Sequence, residues 1–276
     1  MLTADYFQAQ VSQYQIQSTK GPINPTLQQN SSKQFNSVAI ALKAASAGTP
    51  PSGMHVVHLI HNLVPGFVTN NFTLQTPSTG NLLVLQWIGI CDISAVSDSN
   101  HNNYISTGPP LGNSSGGFSG DLQTFYVGSA LTSTSLEGPT ITLGNVSACG
   151  SSSNALLYDI AGAAASPYDS VAGRATATGQ QTVSGPLTTV SITPSTPNGL
   201  IITQTGVDAH TLTGVTPGNF LATEPTPDII TGAIDNNNGW ALYYNTGTNP
   251  ITFVYTTKSG AVSAWASIAV AFKSAN

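Results

Sequence analysis

Short apolar runs of strand length, broken by clusters of turn residues, recur along almost the whole chain, the patterning of β-strands that turn side chains toward a core. It predicts strands at residues 55–63, 67–75, 82–90, 122–128, 140–146, 155–160, 188–193, 200–205, 239–245, 251–257 and 265–272, short runs rich in β-branched and aromatic residues. Stretches such as TPSTGN at 76–81, PSTPNG at 194–199 and DNNNG at 235–239 separate them. Their proline, glycine and asparagine supply the fixed or positive φ that chain reversal needs. Only residues 11–16 and 161–165 carry a weak helical pattern. The expected fold is an all-β antiparallel sandwich, jelly-roll or immunoglobulin-like, of about eight to twelve strands.

The chain also echoes itself. Residues 35–43, FNSVAIALK, return at 265–273 as WASIAVAFK, with four of nine positions identical at an offset of 230. Upstream and without a gap, Tyr14 falls on Tyr244 and Ile23 on Phe253. Self-similarity at a fixed period marks a tandem array, of which residues 1–43 hold only the C-terminal end of a first unit. Residues 44–53, AASAGTPPSG, read as a linker ahead of one sandwich domain over 54–276. Two or three strands in a piece of that size bury too little apolar surface to stand alone. The fragment therefore has to pack on the main domain or add to an open sheet edge of a neighbour. Phe35, Val38, Ile40 and Leu42 are the candidate inter-subunit strand, with Val38, Ile40 and Leu42 on one face and Phe35, Ser37, Ala39 and Ala41 on the other.

Composition narrows the partners. Charged residues make up 6% of the chain, against about 25% in an ordinary soluble protein. Ser, Thr, Asn, Gln and Gly carry the polarity instead, so the surface responds little to salt or pH. A formal net charge of -5, with Arg174 as the one arginine, leaves no basic stripe for nucleic acid or anionic membrane. No apolar stretch of about 18 residues could span a bilayer as a helix, and the first residues lack the regions of a signal peptide. Such a surface suits an extracellular or cell-surface setting, where Cys91 and Cys149 are expected to form a disulfide.

Four segments occur in a familiar order: GNLLVL at 80–85, AVSDSNHNNY at 95–104, YDIAG at 158–162 and the closing strand at 265–273. The order resembles the β-sandwich repeat modules of large secreted or surface-anchored bacterial proteins, in which a GNLLVV strand precedes an SDSxGNxY turn and a tryptophan-led strand closes the unit. This chain places His101-Asn102 where the turn usually has glycine, and Asp159 where the third segment usually has glutamate. The resemblance implies a sandwich fold and a cell-surface habitat, with no catalytic residues to carry over.

Candidate chemistry is sparse. Ser114, in GNSSG at 112–116, fits the nucleophile-elbow spacing, but prolines precede it and glycine follows, where that motif needs a strand and a helix. His55, His58 and His61 would share a helical face for a metal; on a strand His58 points away from the other two. Asp92, Asp98, Asn100, Asn102 and Asn103 offer calcium-type oxygens without the spacing of a calcium loop, and read better as a turn that caps its own backbone. Asp235 to Asn238 read the same way. Glu137 and Glu224, the only glutamates, both lie beside prolines and make no pair for glycoside hydrolysis. Trp240, Tyr243 and Tyr244 are candidate glycan contacts, although alternation puts Tyr243 opposite the other two. No cofactor is expected. The reading is a non-enzymatic extracellular structural protein, a subunit of a surface fibre or filament built by β-strand addition between copies or adjacent repeats; the alternative is a carbohydrate-binding sandwich module.

Overall fold

A computed structural model of the chain describes residues 53–62, 71–74, 78–112, 120–132, 138–144, 153–181, 185–208, 212–222, 237–257 and 264–275. All belong to the compact unit Ala47–Asn276. The described residues are all-β, and every strand pair is antiparallel. The first half supplies β1 (His55–Asn62), β2 (Asn71–Thr73), β3 (Leu82–Gly89), β4 (Val96–Asp98), β5 (Ile105–Ser106), β6 (Leu111–Gly112), β7 (Asp121–Val127), β8 (Thr140–Leu143) and β9 (Asn154–Ala161). The second supplies β10 (Ala163–Tyr168), β11 (Arg174–Gly179), β12 (Leu187–Ile192), β13 (Leu200–Val207), β14 (Leu212–Thr216), β15 (Asn219–Ala222), β16 (Asn237–Tyr244), β17 (Ile251–Thr257) and β18 (Trp265–Ser274).

These strands form four sheets rather than the two of a single sandwich. A six-stranded sheet ordered β1-β9-β3-β7-β5, with β6 also on β7, faces the small sheet β2-β8-β4. A second six-stranded sheet, β10-β18-β13-β16-β15 with β11 also on β18, faces the small sheet β12-β17-β14. Leu83, Leu85, Trp87 and Leu157 meet Ile141 and Leu143 inside the first sandwich. Ile201, Ala269 and Ala271 meet Phe253 and Tyr255 inside the second. The opposite faces of the two large sheets close on each other: Leu82, Val84, Leu156, Tyr158 and Ile160 pack with Leu200, Ile202, Trp240, Ile268, Val270 and Phe272. Two sandwiches therefore stand back to back around a third apolar layer, the seam.

Burial on both faces explains why the central strands read as nearly unbroken apolar runs. All eight residues of β3 and all eight of β13 are buried. Their polar members are bonded inside: the Tyr158 hydroxyl donates to Gln86 Oε1 at 3.0 Å, and Gln204 Nε2 crosses the seam to the Gln123 carbonyl at 3.0 Å.

The halves repeat one another strand for strand. The order β9-β3-β7-β5 in one corresponds to β18-β13-β16-β15 in the other, and β2-β8-β4 to β12-β17-β14. Gln86 and Gln204 end matching runs, LLVLQ at 82–86 and LIITQ at 200–204. Even the turn bonds recur: Gly80 N and Ala130 N bond reciprocally to Ala130 O and Asn81 O, as Asn198 N and Asn245 N do to Asn245 O and Gly199 O. On the register of β9 and β18, residues 153–161 are a middle copy between 35–43 and 265–273, one step being 118 residues and the next 112. The repeat is thus about half the length expected from the echo, and the residues of the expected domain over 54–276, which fall in the single compact unit Ala47–Asn276, are built as two sandwiched pairs of sheets.

One residue joins them. Gly162, with φ of 77°, turns β9 into β10, so residues 161–165 are strand and turn rather than helix. Its carbonyl accepts from Ala275 N at 2.9 Å, and a Cβ there would lie 2.3 Å from the Gly53 carbonyl oxygen. Glycine relieves both constraints, left-handed backbone and close approach. Replacing Gly162 by Ala is expected to cost about 1–3 kcal/mol or more, read from chemical denaturation followed by circular dichroism; a midpoint equal to that of the parent would refute the assignment.

Candidate functional site

The richest polar cluster is the turn after β4. Asp98 Oδ1 accepts from the backbone N–H of Asn100 and of Asn102, each at 3.0 Å. Its Oδ2 accepts from Asn102 Nδ2 at 2.8 Å and the Tyr104 hydroxyl at 2.9 Å. Asn102 Oδ1 in turn accepts from Leu131 N at 2.7 Å, tying the turn to the chain beyond β7. Burial, with Asp98 beside it, pushes the Tyr104 hydroxyl well above its ordinary range. His101 takes a φ of 61° at the place where the resembling turn has glycine. Self-capping is what the Asx-rich reading expected, and four donors already occupy the Asp98 oxygens. Asp92 and Asn103 are exposed and outside this network.

Two further carboxylates, Asp159, noted in the sequence as standing where the resembling segment has glutamate, and Asp169, which the sequence reading did not name, anchor the Ser78 and Ser195 turns that repeat between halves. Buried Asp159, on β9, accepts from Ser78 Oγ at 3.0 Å and Asn81 Nδ2 at 2.8 Å, both on Oδ1. Its Oδ2 is enclosed without a partner. Burial raises its pKa, opposed by those two bonds and by nearby His58. Asp169, after β10, accepts from Ser195 Oγ at 2.6 Å, Ser195 N at 2.7 Å, and the N–H groups of Val171 and Ala172 at 3.2 Å. Burial alone would raise it; the Ser195 bonds, then those of Ala172 and Val171, hold it below the ordinary carboxylate range. The legible signal was the recurring Pro-Ser-Thr at 77–79 and 194–196. Its acceptors come from different places, one within β9 and one just after β10, which no spacing revealed.

At the seam Tyr126 of the first sandwich stacks on Tyr168 of the second, centroids 5.2 Å apart at 17°, with Phe272 edge-on to both. Arg174 lies beside them, its Nη1 packed over Gly108 and its Nε and Nη2 enclosed without acceptors. Burial lowers its pKa. Asp121, at the start of β7, is raised to about 6 by burial and then by Asp92.

The remaining candidates are dispersed. Trp240 is 0% exposed in the seam, which removes it from any surface platform; Tyr243 packs edge-on to Phe253, and Tyr244 is 40% exposed. His55 and His58 lie on β1, a strand as expected, with the His55 ring on the Gly53 carbonyl; the side chain of His61 lies outside the described residues. Cys91 is half-buried on the first sandwich core, its carbonyl accepting from Trp87 Nε1 at 2.9 Å, and no free cysteine occurs among the described residues. Phe35, Val38, Ile40, Leu42, Ser114, Glu137, Cys149, Glu224 and Asp235 lie outside the described residues. Comparison with known protein families, curated proteins and solved structures finds no match.

Two outcomes follow from these networks. Asp98→Ala orphans four donors and is expected to cost about 2–4 kcal/mol in denaturant unfolding, while EDTA or added calcium leaves the Tm of the parent chain unchanged. A raised carboxylate contributes stability below its unfolded pKa that is lost as pH climbs through its folded value. Asp121→Asn should therefore raise Tm above pH 6 and make no difference below about pH 4; the opposite ordering would show that burial does not govern this group.

Proposed function

We propose that this chain is a non-enzymatic structural protein of the cell surface, a fibre or filament subunit in which residues 35–43 add as a strand to another copy or to an adjacent repeat. One observation carries the reading. β18, whose sequence those residues repeat, is buried along its first eight positions, flanked by β10 and β11 on one side and β13 on the other, with a core on each face. A copy of such a strand needs equivalent cover. The equivalent places within 53–275 are filled by β9 and β18 themselves.

By that correspondence Val38, Ile40 and Leu42 match Ile268, Val270 and Phe272, which face the seam, and Ser37, Ala39 and Ala41 match Ser267, Ala269 and Ala271. Burying three aliphatic side chains contributes on the order of 5 kcal/mol before ordering costs. The charge-poor surface fits extracellular exposure, and the resemblance to surface-protein repeat modules points the same way. A Cys91–Cys149 disulfide belongs to this reading; its support is that the chain has two cysteines and none is free among the described residues. The glycan alternative is weakened by the burial of Trp240.

Sedimentation velocity tests the proposal. The full chain is expected to form concentration-dependent linear species and a chain lacking residues 1–45 to remain monomeric. Unchanged assembly after that deletion rules strand addition out.

A further inference from the structure

We infer that Tyr126 and Tyr168 form an oxidative cross-linking site, where one-electron oxidation joins the two rings by a carbon–carbon bond, a dityrosine that staples the sandwiches across the seam. The inference is independent of strand addition. Tyr126 lies on β7 of the first large sheet; Tyr168 ends β10 of the second, where it stands opposite Phe272. Their rings stack with centroids 5.2 Å apart and 17° between the planes, and Phe272 walls the pair edge-on at 6.0 and 6.4 Å. That is the offset spacing aromatic pairs prefer, and it lays the carbons ortho to each hydroxyl close to the opposite ring. The backbones approach as well. A Cβ on Gly128 would lie 3.3 Å from Pro167 Cδ, so glycine there lets the chain after β7 come near the end of β10.

A reachable phenol on each ring separates this pair from the other tyrosines. The hydroxyls of Tyr104, Tyr158 and Tyr255 bond to Asp98, Gln86 and Thr203, and the last two of these tyrosines are 0% exposed. Tyr243 and Tyr244 are chain neighbours on opposite faces of β16, the former packed on Phe253. Tyr126 and Tyr168 are instead half-buried. Neither hydroxyl has a hydrogen-bond partner among the described residues, and neither is an enclosed atom, so both reach solvent.

The oxidant required is hydrogen peroxide activated by a haem peroxidase. It takes one electron and the hydroxyl proton from each phenol and ends as two waters. The two radicals pair as a bond between the ring carbons ortho to oxygen. Each of those carbons then releases its hydrogen as a proton while its oxygen regains one, which restores both phenols with a net loss of two hydrogens. Like any cross-link, the bond restricts the unfolded chain.

The test treats the full chain, dilute, with a haem peroxidase and hydrogen peroxide. Blue dityrosine fluorescence is expected in the monomer, with peptide mapping that places the bond between Tyr126 and Tyr168 and a Tm above that of the untreated chain. Tyr126→Phe and Tyr168→Phe each keep the stacked ring and remove only a hydroxyl that bonds nothing in the fold; both should lose the fluorescence of the monomer. Tyr244→Phe, at a 40% exposed position, should retain it. Mapping of the unmutated chain needs no variant to fold. A chain left uncoupled by an oxidant that couples free tyrosine in the same vessel, a bond between other tyrosines, or monomer fluorescence that survives in either seam variant would overturn the assignment. Coupling without a rise in Tm would overturn the stapling role.

Discussion

The seam between the two large sheets is the contact on which the rest of the structure depends. Burial there makes strands that already have a core on one face bury the other, so β3, β9, β13 and β18 have almost no solvent-facing positions. A chain with 6% charged residues can build such strands because few of its polar positions carry a charge that needs hydration. Gln86 and Gln204 enter as neutral side chains, the first accepting from the Tyr158 hydroxyl and the second donating to the Gln123 carbonyl, while Gln86 Nε2 and Gln204 Oε1 stay enclosed without partners. The seam in turn fixes the relation of the sandwiches more firmly than a linker would, since it joins them through the central strands of both sheets.

Much of the fold was legible in the sequence. Ten of the eleven predicted runs correspond closely to strands, among them 82–90, 251–257 and 265–272. The run at 67–75 shrinks among the described residues to Asn71–Thr73. Strands such as β10 (AAASPY) and β11 (RATATG) escaped because alanine, threonine and glycine give no apolar alternation; their place is set by pairing to β18 rather than by their own side chains. The doubling escaped for a related reason. The middle copy of the closing strand carries Tyr158 and Asp159 where the outer copies have aliphatic or alanine residues, so the echo surfaced only between the first and third.

The polar clusters divide along the same line. Asp98, Asn102 and Tyr104 act over a few residues, and their capping role follows from Asx chemistry. Asp159 meets Ser78 and Asn81 across about eighty positions, a separation at which sequence carries no signal. The two halves solve a common problem, fixing the turn at Ser78 or Ser195, with acids from unrelated places, Asp159 within β9 and Asp169 just after β10. Such replacement is a sign that the turn position, rather than the particular carboxylate, is what the fold requires.

Gly53, Gly162 and Ala275 meet at one corner of the molecule, the first two by close backbone approach and the last two by a hydrogen bond. Tension applied at residues 53 and 275 would consequently pass through that corner instead of through the body of either lobe. The sandwiches would take up load only after that single hydrogen bond and that backbone approach had given way.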